Sequence, residues 1–157
     1  MALIETDRLQ TLRAAADDAR RLNYAPYSRI LVLAAAELDG GAVEGASNVE
    51  SANFTLTKHA EELAVIAAFR AADVKPARDA LRCVYVAGPP PCGSCRQFVS
   101  EFGSPDALWV IEPVDQGDIQ TRQLVDRPTD VPLTVIRFDQ ALPLTFGQAD
   151  LSPAPTQ

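Results

Sequence analysis

The chain has 157 residues, 47% of them hydrophobic, which is enough for a real core and within the range of one domain. Twenty-one acidic against fourteen basic side chains leave a formal net charge of −7, which repels phosphate backbones and argues against a nucleic-acid polymer or an anionic membrane as partner. No segment reaches roughly eighteen consecutive apolar residues, and no basic stretch followed by an apolar run opens the chain, so a soluble cytoplasmic protein is expected.

In chain order, Leu9, Leu12, Ala16, Ala19 and Leu22 recur at spacings of three and four and mark one face of a helix ending near Asn23. Tyr24-Ala25-Pro26-Tyr27-Ser28 reads as a loop. Residues 30–38 are nearly continuously apolar, and Asp39-Gly40-Gly41 separates them from a short run over 42–46, which predicts a hairpin with a buried first strand. Thr57 can cap a helix over 60–72 that is apolar on almost every face, through Leu63, Val65, Ile66, Ala67 and Phe69. Such a helix is central or lies at a subunit interface.

A third strand is expected over 81–87, ended by Gly88-Pro89-Pro90-Pro91, and a short helix over 92–102 whose opening is set by the prolines. Strands over 107–112 and 133–138 complete the set, with a polar surface loop over 113–132 and a disordered tail over 152–157. Strand, helix, strand, helix, strand implies parallel pairing with right-handed crossovers, preceded by an antiparallel hairpin. The expected fold is α/β, a mixed five-stranded sheet flanked by helices, in a single domain over 1–151.

The cysteines, Cys83, Cys92 and Cys95, form an odd set, for which metal binding is a better reading than a disulfide framework. Cys83 sits mid-strand and reads as a small buried hydrophobe. The one histidine lies in His59-Ala60-Glu61 at the start of the apolar helix, and Pro91-Cys92-Gly93-Ser94-Cys95 opens the next helix. Two cysteines three apart at a helix opening can turn both sulfurs to one point, where exposed amides favour thiolate. One imidazole and two thiolates give zinc three protein ligands and leave one position open, the arrangement of a catalytic site. A lone histidine on an apolar helix is ordinarily a hydrogen-bonded core residue, and most glutamates are solvated; the joint occurrence of the two motifs overrides both readings for His59 and Glu61.

Together the motifs resemble the H-x-E…P-C-x-x-C signature of zinc deaminases acting on nucleobases. Tyr24-Ala25-Pro26-Tyr27-Ser28, Asn48-Val49-Glu50-Ser51-Ala52-Asn53-Phe54, Cys92-Gly93-Ser94-Cys95-Arg96-Gln97-Phe98 and Leu142-Pro143-Leu144-Thr145-Phe146-Gly147 look like those of free-nucleoside cytidine deaminases, in the family's order over roughly residues 8–151. The resemblance implies a three-layer αβα sandwich and one Zn2+ per chain on His59, Cys92 and Cys95. It also implies Glu61 as the proton carrier and a substrate site formed by Asn48, Val49 and Glu50, where Asn48 and Glu50 hold the ribose hydroxyls. The backbone amide of Ala60 would meet the pyrimidine carbonyl, and the short chain would form a homotetramer.

This chain departs from the family in three places. Short members commonly have Cys where His59 stands and Arg where Glu62 stands, and Phe-Pro-Val-Gly where this chain has Ile30-Leu31-Val32-Leu33. The expected reaction is hydrolytic deamination of cytidine or deoxycytidine. Alternatives are a deaminase of modified cytidines or of a blasticidin-type antibiotic and, in a different class, a zinc-stabilised structural or interaction domain whose fourth metal position is closed by Cys83 or by water-free packing. Phe146 could serve either core packing or a neighbouring subunit's pocket.

Overall fold

The computed structural model describes residues 3–114 and 132–147. Helix α1 (Thr6–Asp18) buries Leu9, Leu12 and Ala16, the stripe read from the spacing. The chain then tightens into a 3-10 turn, Ala19–Leu22, in which Ala19 stays buried and Leu22 swings out to 53% exposure. The narrower winding of a 3-10 turn moves Leu22 off the stripe on which an α-helix would have kept it.

Strand β1 (Leu33–Leu38) is shorter than the apolar run that predicts it. Residues 30–32 stay outside the ladder because the side chain of Asn48 takes the place of a neighbouring strand. Its Oδ1 accepts from the Val32 amide at 2.9 Å, and its Nδ2 donates to the Ile30 carbonyl at 3.0 Å. Arg29, just upstream, has φ 62, a left-handed turn through which an extended strand cannot continue. β1 pairs antiparallel with β2 (Val43–Ser47), the expected hairpin, with Leu33 opposite Ser47. Gly45 of β2 lies so close to α1 that a Cβ there would stand 1.9 Å from the Ala15 carbonyl oxygen, so only glycine permits this approach.

Helix α2 (Ala60–Ala71) starts at a cap formed by His59, not at Thr57. Lys58 still pairs with Val49 in an isolated antiparallel bridge, so the backbone remains extended through His59 and cannot turn helical earlier. The Thr57 hydroxyl instead accepts from the Ser51 amide at 3.2 Å. The helix buries Ala64, Val65, Ala68 and Phe69 against the sheet, while Ile66 on its outer face is 54% exposed. Then follow β3 (Leu81–Ala87), α3 (Gly93–Ser100), β4 (Gly103–Glu112), β5 (Thr134–Arg137) and the short α4 (Phe138–Ala141).

The strand order is β2-β1-β3-β4-β5. Only β3 and β4 form a parallel neighbouring pair; β1 is antiparallel to both β2 and β3, and β5 is antiparallel to β4. The expectation of parallel pairing along the whole strand–helix alternation is thus corrected. The hairpin keeps β1 beside β2, and the crossover through α2 passes over β1 to land β3 on its far side. β2 and β3 consequently run the same way without touching, and both end at the same edge of the sheet.

Core residues fill both faces. Ala34, Ala36, Val84, Val86 and Trp109 face α2, α3 and α4, and Phe138 stacks against Trp109 with ring centroids 5.2 Å apart. Leu33, Ala35, Cys83, Tyr85 and Val110 face α1. Residues alternate sides along β1 as a pleated strand requires, which gives the three expected layers. Residues 115–131 of the expected surface loop, and the tail over 152–157, lie outside the described residues. No helix among the described residues is long and apolar enough to cross a membrane.

Candidate active site

β2 and β3 deliver their carboxyl ends to one edge, and the helices that follow, α2 and α3, begin there. His59 is the residue before α2, Cys92 the residue before α3, and Cys95 lies within the first turn of α3. Each helix start points unpaired amides at the same spot. Gly88-Pro89-Pro90-Pro91 makes the turn into α3 rigid, and the Cys95 amide donates to Cys92 Sγ at 3.5 Å, which fixes the direction of that thiol.

The three donor atoms face one another. His59 Nδ1 lies 3.1 Å from Cys95 Sγ and 3.5 Å from Cys92 Sγ, and the two sulfurs are 3.6 Å apart. Tetrahedral zinc with its usual bond lengths separates such ligand atoms by about 3.5–3.8 Å. The trio therefore fits this metal with an adjustment of a few tenths of an ångström. Among the described residues the cluster has three members, and Cys83 is not one of them.

Cys83 is fully buried, in the core cluster under α1 on the other face of the sheet. Burial pushes its thiol up to about 12, so it stays neutral and inert. The structural alternative, with Cys83 as fourth ligand, finds no support in this placement. Cys95 is pushed up as well, first by burial, then by the negative charge of Glu61 and by Cys92. A thiolate buried at Cys95 beside Glu61 gains stability from a cation, and the imidazole and two sulfurs are a donor set suited to holding one.

Glu61, one residue into α2, is 4% exposed. With His59, Ala60, Cys92, Asn48 and Glu50 it lines a cavity of about 240 Å³. Val49 lies between Asn48 and Glu50 without lining that cavity; it is exposed, and its backbone bridges Tyr24 and Lys58. Asn48 and Glu50 are both buried although polar. The Glu50 carboxylate accepts from the Tyr27 amide at 2.9 Å, the Ser28 amide at 3.1 Å and the Ser28 hydroxyl. Burial alone would raise its pKa, but the Ser28 hydroxyl and the amides of Tyr27 and Ser28 outweigh it and hold Glu50 below the ordinary glutamate range.

Sequence reasoning missed several residues at this cavity. Ser28, Thr57, Pro89 and Pro90 also line it. Ser28 could have been found, since it ends one of the motifs, whereas Asn23, which grips Asn48, carries no signal beyond its place after a helix. A larger, apolar cavity of about 720 Å³ adjoins on the α4 side and shares Ile30, Pro89 and Pro90 with the smaller one. The convergent polar groups and the metal-type cluster are at the smaller cavity, which is where chemistry belongs. Phe146 is 59% exposed, with its carbonyl accepting from Gln97 Nε2 at 2.7 Å, so it is not a core residue.

The comparisons with known proteins agree with this geometry. A family model for the cytidine and deoxycytidylate deaminase zinc-binding region matches residues 6–111. The cytidine deaminase of Halalkalibacterium halodurans is 36% identical over 115 residues, covering 71% of this chain and 83% of that protein. The cytidine deaminase of Mycobacterium tuberculosis is 34% identical over 142 residues, covering 89% and 90%. Among solved structures, a cytidine deaminase from Burkholderia pseudomallei aligns with a TM-score of 0.69 at 30% identity, covering 87% of this chain and 98% of that one.

Proposed function

This chain belongs to the cytidine and deoxycytidylate deaminase family, as an enzyme of the cytidine deaminase type, and we propose that it hydrolyses the 4-amino group of free cytidine and deoxycytidine. The observation that carries the reading is the convergence on one cavity of a zinc-type trio, a buried carboxylate two residues from the histidine, and a second pair of buried polar side chains.

His59, Cys92 and Cys95 would hold one zinc ion per chain. A bound zinc would lower the pKa of water to about 7, so that it loses a proton near neutral pH. Glu61 would take one proton of the attacking water and hand it to the ring nitrogen beside the reacting carbon, then take the remaining hydroxyl proton and give it to the departing amine. The C–O bond forms first as the ring C=N bond becomes a single bond by addition of water; the exocyclic C–N bond then breaks as the carbonyl forms, giving uridine or deoxyuridine and ammonia. Burial keeps the Glu61 carboxylate out of competition with bulk water, and the Ala60 amide at the start of α2 can donate to the pyrimidine carbonyl. Asn48 and Glu50 form the sugar end and take the hydroxyls, while Val49 only links them along the chain. They favour nucleosides over free cytosine, and Glu50 with the net charge of −7 disfavours phosphorylated forms.

The protein is further proposed to work in the cytoplasm, in pyrimidine salvage, as a homotetramer. Exposed Ile66 on α2 and exposed Tyr24, Phe54, Leu56 and Phe146 supply apolar surface for neighbouring copies. A second reading, deamination of modified cytidines, is favoured by the larger apolar cavity that adjoins the site across Ile30, Pro89 and Pro90. The loss of ultraviolet absorbance on cytidine tests the main reading, with and without a strong chelator. Activity on cytidine that the chelator removes and zinc restores is expected; activity on cytosine or cytidine monophosphate equal to that on cytidine would overturn the nucleoside assignment.

A further inference from the structure

Asn23 closes the helical segment that begins at α1, and its side chain reaches across to the end of β2. Its Nδ2 donates to Asn48 Oδ1 at 2.8 Å, to Ser47 Oγ at 3.0 Å and to the Asn48 carbonyl at 3.3 Å. The Ser47 hydroxyl spends its own proton on the Val32 carbonyl at 3.1 Å, so all three groups accept from Asn23. Asn23 thus has a single workable orientation, nitrogen toward Asn48.

Asn48 is fixed in turn. Asn23 and the Val32 amide occupy the two lone-pair directions of its Oδ1, and the Ile30 carbonyl takes one of the two hydrogens on Nδ2. Among the described residues, one N–H is all that Asn48 has left for a molecule in the cavity. Glu50 is its complement. Three donors occupy its ionised carboxylate, and the capacity that remains can only accept. One donor beside one acceptor is satisfied by a single hydroxyl, which accepts from the first and donates to the second.

We propose that Asn23 is a positioning residue for sugar recognition, holding Asn48 so that its side chain can only donate to the hydroxyl that Asn48 and Glu50 share. The inference rests on the reading of the cavity as a nucleoside site. Asn23 itself touches no substrate; it acts through Asn48.

The test is a cycle between one side chain and one functional group of the substrate. Wild type and Asn23→Ala are compared on cytidine and on 2′,3′-dideoxycytidine, which lacks both ring hydroxyls. Where the dideoxy compound is turned over too slowly, its inhibition constant against cytidine replaces kcat/KM. Removing one neutral hydrogen-bond partner lowers kcat/KM on cytidine roughly fivefold and leaves dideoxycytidine within about twofold. Asn23→Asp sets carboxylate oxygens against Asn48 Oδ1 and the Asn48 carbonyl and costs more on cytidine than alanine does. Thermal melting of both variants separates this from loss of the fold, which weakens both compounds alike. An equal proportional loss on the two compounds, or no loss on cytidine, overturns the inference. A wild-type protein that leaves cytidine untouched instead overturns the proposed function on which it rests.

Discussion

The two ends of the active-site cavity are built on different principles. At the metal end, His59, Cys92 and Cys95 sit at the starts of two rigid helices, and their direction follows from local chain geometry. At the sugar end, Asn48 and Glu50 follow β2 and are held by the irregular segment 23–32, whose own shape depends on them. Side chains at the first end are carried by structure; those at the second end make it. A substitution at the metal end should therefore remove chemistry and spare the fold, whereas one at the sugar end should weaken binding and loosen the chain together.

The largest effect is expected at Cys95. Cys95→Ser replaces a buried thiolate ligand by a hydroxyl that zinc binds poorly, so metal content by elemental analysis and turnover should both fall to background. Zinc retained at the wild-type level in both this variant and Cys92→Ser would break the comparison at its first end. Glu61→Gln comes next. It keeps the size of the side chain but cannot take a proton, and the rate should fall about 10²–10⁴-fold with zinc and folded state unchanged. Near-normal turnover here would mean that another group carries the proton.

Glu50→Gln sharpens the contrast, because a smaller loss of activity should come with a loss of stability. The amide nitrogen would face donors from Tyr27 and Ser28, which costs on the order of 1–3 kcal/mol of folding free energy and roughly tenfold or more in kcat/KM. The pH dependence has a definite sign. Glu50 ionises more readily folded than unfolded, so its contribution is fully present above the ordinary glutamate pKa and is lost as pH falls through the lower folded value. Denaturant titrations at falling pH should show wild type and variant converging across that window. Curves that stay equally spaced would show that the carboxylate charge is not what holds the 23–32 segment.

The metal end was legible from spacing alone. A three-residue separation of cysteines after three prolines, and a histidine two residues before a glutamate, specify helix starts by short-range rules, and the structure starts α2 at the expected residue and α3 one residue later. The sugar end was visible only as a motif. Nothing in residues 30–32 distinguishes a continuing strand from a segment taken up by an asparagine eighteen residues away from Ile30, and periodicity assigned them to β1. The helix cap was misplaced for a similar reason, since the bridge between Val49 and Lys58 that delays α2 is a pairing of distant residues.

By itself the sequence determined the five strands, helices α1, α2 and α3, the grouping of His59, Cys92 and Cys95, and the family, because each depends on residues close together in the chain or on motifs in a set order. Tertiary structure alone decided the order β2-β1-β3-β4-β5, the contact of Gly45 with α1, the placement of Cys83 across the sheet from the metal site, and the grip of Asn23 on Asn48. Each of these is a long-range choice. It is fixed by which strand lands beside which and by which buried polar atom must find a partner, and no local pattern encodes that.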